Sequence, residues 1–435
     1  MTQKTIYIVD GSRTPFLKAK GKPGPFAASD LASAAGRTLL MRQKFEPTEL
    51  DEVVLGAAAP GVDEVNIGRV AALRMGCGQK VPGWTVMRNC ASGMQALDSA
   101  IANIETGRSH LVLAGGVDAL SRAPLLFSEA MTHWFASFYA AKTPVAKAAL
   151  ATRLPLQQIA PVIGIMKGLT DPNVGLIMGQ TAENLAYRFG ITREQMDEFS
   201  VRSHQRVARA QDKGWFLGEA EGMHAEIVPL FDGEGAVYKD DDGVRKDSSL
   251  ANLAKLKPFF DRKYGNVTAG NSSQVTDGGA WLLLADEEAV KRHELAPLGR
   301  IVDTQWAALD PAQMGLGPVH AATPILQRHK LGLDDLDAWE INEAFAAQVL
   351  ACLEAWKSDE YCRNELGLDG ALGTLEMDKL NVDGGAIALG HPVGASGARI
   401  VLHLLHVLKR TGGKRGIAAI CIGGGQGGAM MVEAL

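Results

Sequence analysis

The chain has 435 residues, 46% of them hydrophobic and 21% charged, with a mean hydropathy of +0.01. That balance belongs to folded globular proteins and excludes disordered and fibrous classes, while the length exceeds what one core can serve, so two or three domains are expected. The net charge of -5 arises from 44 basic and 49 acidic side chains that are interspersed along the chain, which excludes nucleic acid as a partner. A small patch comprising Arg245, Lys246, Lys255 and Lys257 remains available to grip an anionic substrate.

In chain order, the first predicted element is a strand, Thr5-Ile6-Tyr7-Ile8-Val9, with no room ahead of it for a basic and apolar signal segment. The chain therefore reads as cytoplasmic. A second strand, Leu50-Asp51-Glu52-Val53-Val54-Leu55, leads into an alanine-rich segment. Then Ala91-Ser92-Gly93 opens an amphipathic helix with Met94, Leu97, Ile101 and Ile104 on one face; Gly107 stops it and Leu111 to Ala114 form a buried strand.

Residues 121 to 273 read as an inserted loop domain. It holds a helix over Thr181 to Phe189 and another that Thr192 opens, with Gln195 completing a capping box. The polar run from Phe231 to Gly243 has the character of an insertion. Thr143 to Leu169 is apolar-biased, but Lys147, Arg153, Gln157 and Gln158 interrupt it, so it is no membrane span. The wider stretch from Met131 to Leu169 is read as a packed loop, with a membrane- or partner-facing surface as the alternative.

The early pattern then returns. Leu336 to Ile341 repeats the Leu50 strand; Ala395-Ser396-Gly397 opens a helix with Ile400, Val401, Leu404, Leu405 and Leu408; Gly412-Gly413 stops it; Ile417 to Ile420 form the strand. The repeat implies two duplicated α/β halves, with mostly parallel mixed sheets covered on both faces and packed in layers around shared inner helices.

Chemistry concentrates at the ends of these elements. Cys90 precedes the first repeat helix, where free N–H groups and the macrodipole favour a thiolate, although a free cysteine is more often a small buried hydrophobe. His391, in the turn Gly390-His391-Pro392-Val393-Gly394, holds nearly the equivalent place in the second copy and suits a general base. Cys421 follows a strand and precedes a glycine run from Gly423 to Gly428. That run is no dinucleotide fingerprint, since only Ala429 to Leu435 follow it and no crossover helix fits. Asn342, at a strand-to-helix turn, reads either as an N-cap or as an amide that orients a water or a carbonyl. His403 and His406 are expected at the edge of an amphipathic helix, without a third metal ligand. Cys77, Cys352 and Cys362 are expected to pack, and no cysteine pair has metal or redox spacing.

Cys90 in N-C-A-S-G, Asn342 in N-E-A-F, His391 in G-H-P-V-G-A-S-G and Cys421 in C-I-G-G-G-Q-G together resemble the thiolase family, with Ser12 to Phe16 and Val267 to Ser273 extending the resemblance over nearly the whole chain. It is most similar to the β-subunit type of fatty-acid β-oxidation complexes, through Ser248 to Leu250, Leu256 to Phe259 and the extra segment Ser358 to Leu380. The resemblance implies thiolytic cleavage of a 3-oxoacyl-CoA, or the reverse condensation, through an acyl-cysteine. Cys90 would be the nucleophile, His391 its base and Cys421 the acid and base at the α-carbon. One oxyanion site would use His391 and a water on Asn342; the other, the N–H groups of Cys90 and Gly423. Ser273 and Ala269 would line the CoA tunnel, and Met178, Phe260, Met314 and Phe345 the acyl and pantetheine surroundings. No metal or redox cofactor is implied, CoA thioesters being substrates.

The same resemblance implies an N-terminal half over 1–120 and 274–292, the loop domain over 121–273 and a C-terminal half over 293–435. It implies a homodimer or homotetramer, with a hydratase/dehydrogenase subunit as a further partner. Two positions depart from the expected pattern: Asn342 stands where that subgroup often has histidine, and Leu176-Ile177-Met178-Gly179 lacks the histidine of short-chain biosynthetic thiolases. Two competitors are weighed. A decarboxylating 3-oxoacyl synthase would lack a cysteine in the last glycine turn, and a silent scaffold subunit would need neither both cysteines nor the histidine.

Overall fold

The computed structural model describes residues 4–218 and 225–435. In chain order its principal elements begin with β1 (Ile6–Arg13), α1 (Ala28–Met41), β2 (Glu52–Gly56), α2 (Ile67–Met75), β3 (Gly83–Val86), α3 (Ser92–Glu105) and β4 (Leu111–Ala119). The intervening section carries α4 (Glu129–Ala140), α5 (Pro144–Ala151), α6 (Met178–Phe189) and α7 (Arg193–Asp212). The remainder is β5 (Thr276–Ala285), β6 (Gly299–Ala308), α8 (Gly317–His329), β7 (Ala338–Ile341), α9 (Ala346–Lys357), α10 (Val393–Thr411), β8 (Arg415–Ile422) and β9 (Gln426–Ala434).

The repeated sequence is a repeated strand order. Outward from the centre, the first half runs β1-β5-β4-β2 and the second β6-β9-β8-β7, with β3 as an extra edge on the first. The halves join where β1 and β6 pair antiparallel, Ile6 opposite Ile301 and Ile8 opposite Gly299. Parallel pairing is confined to the outer strands, β2 with β3 and β4 and β7 with β8, while the other ladders are antiparallel. The sheet is thus mixed, but not mostly parallel as the alternating pattern suggested. One reason is local: the Gly423 to Gly425 segment, with Gly424 and Gly425 at φ +93° and +75°, turns β8 directly into β9, and so short a connection joins only antiparallel strands.

Between the two sheet regions lie α3 and α10. Every residue of α10 from Gly394 to Leu408 is buried, so the helix that the sequence reads as amphipathic is covered on all sides, its polar residues Arg399, His403 and His406 included. The two helices share one core with the inner faces of the strands, including Met94, Leu97, Ile101, Ile400, Leu404, Leu408, Ile420 and Met430. They approach backbone to backbone at their starts: a Cβ on Gly93 would stand 2.8 Å from the Gly394 carbonyl oxygen, and one on Gly397 would stand 2.6 Å from the Met94 nitrogen. Outside this layer, α1 and α2 cover the first half, and α8 and α9 cover the second.

The section after β4 is ordered, and its parts behave differently. Leu185 of α6 and Phe199 of α7 enter the core of the second half, and Thr192 caps α7 with Gln195 as expected, the Gln195 N–H donating to Thr192 Oγ1 at 3.2 Å. By contrast α4 and α5 stand off the body. Tyr139 is 78% exposed, Val145 79% and Leu156 70%, so the packed-loop reading of Met131 to Leu169 is corrected to an apolar, exposed helical hairpin. The two helices are tied to each other by the Trp134 indole, whose Nε1 donates to the Leu150 carbonyl at 2.9 Å, and by Lys147, whose ammonium lies 5.8 Å from the centre of the Phe138 ring.

Candidate active site

The turn before α3 is fixed by its own short polar side chains. Ser92 Oγ accepts the Arg88 N–H at 2.9 Å and donates to the Asn89 carbonyl at 2.7 Å. Asn89 takes φ +44°, and its Nδ2 donates to the Gly423 carbonyl at 2.9 Å. That last bond ties the Cys90 turn to the turn after Cys421. The Gly423 N–H is directed at the Cys90 thiol in return.

The charge state of Cys90 departs from the sequence expectation. Burial pushes its thiol up from the ordinary cysteine value, and the hydrogen bond from Gly423 offsets this only in part. Cys90 sits in a 3-10 turn ahead of α3 and packs against the central apolar core, where the cost of desolvating a thiolate outweighs the helix-terminus field. The resting nucleophile is a thiol and needs a base.

His391 can supply one. Its backbone N–H donates to the Gln274 carbonyl at 3.0 Å, and the following turn is held by Asp118, whose Oδ2 accepts the Gly394 N–H at 2.6 Å. The ring Nδ1 lies 2.6 Å from Ser396 Oγ, and that hydroxyl spends its single proton on the Pro392 carbonyl at 3.1 Å. Ser396 must then accept from Nδ1–H, which leaves the lone pair on Nε2. Nε2 is buried without a hydrogen-bond partner among the described residues. Burial, followed by the charge of Arg399, pushes His391 down to about 4, so the ring is neutral near pH 7 and able to take a proton.

Cys421, on β8 opposite Gly427, is fully buried. Burial raises its thiol well above the ordinary value, and the proximity of Cys90 and Cys352 adds to this. Cys352 thus packs as expected, its sulfur donating to the Gly315 carbonyl at 3.3 Å, and it borders the reactive pair. Asn342 is no cap: Phe345 occupies the N-cap position of α9. The Asn342 backbone N–H donates to the Ala419 carbonyl at 2.9 Å, while both side-chain amide atoms are buried without a partner among the described residues. An amide so placed is costly unless a water or substrate oxygen completes it.

The binding candidates sort into two groups. Ala269, Ser273 and Phe260 line a cavity of about 340 Å³, with the Ser273 N–H donating to the Ala344 carbonyl at 2.9 Å. Met178, Met314 and Phe345 lie outside that lining. Met178 sits by the reacting turn, its sulfur 3.2 Å from where a Cβ on Gly423 would stand. The Phe260 ring fills the space beside Gly179 and meets Phe345 edge-on at 5.9 Å, linking the cavity wall to that turn. Met314 is buried in the second-half core.

Several supporting residues escaped sequence reading. Ser396 is one, although its Ala-Ser-Gly motif was the repeat signal itself. Glu343 accepts from Ser203 Oγ at 2.6 Å, from Asn381 Nδ2 at 2.9 Å and from the Ile387 N–H at 3.2 Å, locking the segment before His391 to the Asn342 turn. His403 and His406 are buried rather than at a helix edge. His403 Nδ1 is 2.7 Å from Glu226, which also pairs with Arg13 at 2.5 Å, and Arg13 in turn pairs with Asp241 at 2.7 Å. One member of the acidic insertion is therefore a buried counter-ion, a role no local pattern announces.

A thiolase N-terminal domain model matches residues 6–288, and a thiolase C-terminal domain model matches residues 295–434. The chain belongs to the thiolase family. It is 39% identical to the 3-ketoacyl-CoA thiolase of Serratia proteamaculans over 98% of this chain and 96% of that one. It is 35% identical to the mitochondrial trifunctional enzyme subunit beta of Bos taurus, covering 99% of this chain and 88% of the relative. The solved human mitochondrial 3-ketoacyl-CoA thiolase in complex with CoA superposes with a TM-score of 0.84 at 35% identity, covering 99% and 98% of the two chains. The mixed sheet with inner helices is thus the thiolase fold, and this thiolase is an acyltransferase.

Proposed function

We propose that this thiolase cleaves a 3-oxoacyl-CoA with CoA into acetyl-CoA and a shortened acyl-CoA, or runs the reverse Claisen condensation, by a ping-pong acyl-cysteine route. In the cleavage direction His391 Nε2 takes the Cys90 proton and the sulfur attacks the 3-oxo carbon. The bond between C2 and C3 then breaks, Cys421 protonates the departing acetyl-CoA carbanion, and the shortened acyl group stays on Cys90. Incoming CoA gives its thiol proton to the Cys421 thiolate and takes the acyl group, while the protonated His391 returns its proton to the departing Cys90 sulfur, which restores both cysteines and the neutral imidazole. Negative charge on the oxygens is met by the N–H groups of Cys90 and Gly423 at one site, and by His391 with an Asn342-held water at the other.

The observation that carries this reading is a single hydrogen-bonded junction: the turn that follows Cys421 directs its Gly423 N–H at Cys90 and accepts from Asn89. The unsatisfied His391 Nε2 and Asn342 amide supply the remaining groups. The test is acyl-CoA labelling, with release of acetyl-CoA from 3-oxoacyl-CoA plus CoA followed in parallel. Cys90→Ala abolishes the label, and labelling that persists at another residue refutes the assignment. A wild-type protein that releases no acetyl-CoA would favour a silent subunit.

We assign the same residue ranges as above to the two halves and the inserted domain, the repeated strand order supporting the split. CoA is read as substrate, with no separate cofactor. A cytoplasmic homodimer or homotetramer is proposed, with a hydratase/dehydrogenase subunit as a further partner; that one relative is named as the beta subunit of a trifunctional enzyme supports the presence of a partner subunit. The exposed hairpin of α4 and α5 is the surface available to such a partner or to a membrane face; no helix among the described residues is long and apolar enough to cross a membrane.

A further inference from the structure

The junction between the two reactive turns contains one side chain that no step of the proposed reaction uses. Asn89 is exposed, so packing does not explain it, yet its backbone is firmly mounted. Its carbonyl accepts from Ser92 Oγ at 2.7 Å, which fixes it to the start of α3, and its φ of +44° lies in the left-handed region that asparagine enters more readily than most residues. From that mount Nδ2 donates to the Gly423 carbonyl at 2.9 Å, across 334 positions of sequence.

The turn it reaches needs holding. Gly423, Gly424 and Gly425 follow one another between β8 and β9, and glycine loses more conformational freedom on ordering than any other residue. The far end of the turn is anchored where the Gly425 carbonyl accepts the Leu309 N–H at 2.8 Å. Its middle is open, since a Cβ on Gly424 would meet nothing within 4 Å. At the near end the Asn89 amide bonds the Gly423 carbonyl, and the N–H of the same glycine is the donor aimed at Cys90. Rotation of that first glycine would carry the N–H away from the sulfur, and a donor that has to be re-aimed during reaction stabilises charge less than one already in place.

We propose that Asn89 is a positioning residue for the oxyanion site of the Cys90 and Gly423 N–H groups, holding the glycine turn so that the Gly423 N–H stays on Cys90. This rests on the thiolase reading and adds to it a residue that acts through Gly423, not on the reacting atoms. Its loss therefore belongs in kcat and in the reactivity of the Cys90 sulfur, and not in the binding of CoA. Asp118 and Cys421 also act on the Cys90 thiol. The Asp118 carboxylate is held by the N–H groups of Ala58, Ala59 and Gly394, Cys421 by its strand pairing opposite Gly427, and the His391 ring by Ser396, so a substitution at Asn89 leaves all three in place.

The experiment compares wild type with Asn89→Gly, which keeps the left-handed backbone and removes the amide, and Asn89→Asp, which keeps the shape and sets a carboxylate oxygen against the Gly423 carbonyl. It reads the pH dependence of iodoacetamide alkylation on the Cys90 peptide by mass, kcat for 3-oxoacyl-CoA cleavage, and the calorimetric affinity for CoA, all at a temperature where melts show the variants folded. Asn89→Gly is expected to slow alkylation about 2- to 10-fold at a fixed pH below the thiol's midpoint, the worth of one hydrogen bond, and to displace the alkylation curve to higher pH. The fall in kcat should be about 5- to 50-fold, less than the outright loss of an oxyanion donor, while the CoA affinity holds within about 2-fold. Asn89→Asp should do at least as much to both rates. An alkylation curve that does not move in Asn89→Gly overturns the proposal. So does a loss confined to Asn89→Asp, which is an effect of charge alone, or a fall in CoA affinity as large as the fall in activity. If the wild type releases no acetyl-CoA the thiolase reading falls, while the alkylation curves still decide whether Asn89 holds the turn.

Discussion

Ser396→Ala is the sharpest test of how the base is prepared. The substitution removes a 2.6 Å contact to His391 Nδ1 and a 3.1 Å bond to the Pro392 carbonyl, at a serine that is fully buried. Leaving a buried imidazole N–H unpaired costs about 1–3 kcal/mol, and part of that cost is escaped by moving the proton to Nε2, which is the wrong tautomer for a base. In either case the population of competent His391 falls, and kcat/KM for thiolysis should drop by roughly 5- to 150-fold at about 1.4 kcal/mol per factor of ten. The assay pairs kcat/KM for acetyl-CoA release with the rate at which iodoacetamide alkylates Cys90. Both should fall together while the CoA affinity holds within about 2-fold, a margin under half a kcal/mol. A variant that keeps wild-type kcat/KM, or loses activity only in step with global unfolding, would refute the tautomer argument.

Further outcomes follow from the same geometry. Because His391 is held down at about 4, the acid limb of kcat/KM should lie well below pH 6.5, and a limb at 6 to 7 would show a different base. For stability, an imidazole with a depressed folded value binds fewer protons than in the unfolded chain, so its contribution is present above about pH 6.5 and is lost as pH falls toward 4. His403 works in the opposite sense. Glu226 and Asp383 raise it, against burial, to about 10, so its contribution is whole below about pH 6.5 and disappears as pH rises through 10, which thermal melts across pH 5 to 11 will report. Glu226→Gln leaves Arg13 and His403 short of a fully buried counter-ion and should cost about 3–5 kcal/mol in denaturant unfolding. Gly394→Ala places a Cβ 2.7 Å from the Val117 carbonyl oxygen and 2.9 Å from Asp118 Oδ2. It should destabilise by about 1–3 kcal/mol and lower kcat more than its melting shift explains, since the His391 turn moves.

The sequence by itself determined the elements and the inventory of reactive groups. Period and punctuation suffice for α3 and α10, because an apolar face that recurs with the helical repeat has to be buried and a glycine at positive φ ends the helix. The repeat of Ala-Ser-Gly at both helix entrances was enough to infer duplication, and the strand orders of the two halves match accordingly. Cys90, His391, Cys421 and Asn342 stood out because each is read from the sequence at or next to the end of an element, beside a glycine-rich or helix-opening turn. What only the tertiary structure decided is what depends on distance across the chain. The sulfur of Cys90 is a thiol because of what surrounds it, not because of the helix that follows it. Asp241 is a buried counter-ion, although its neighbours in sequence are exposed. Asn89 reaches the Gly423 carbonyl because two turns far apart in the chain fold to the same place. Burial and long-range charge fall off with separation in space, and separation in sequence carries no measure of that.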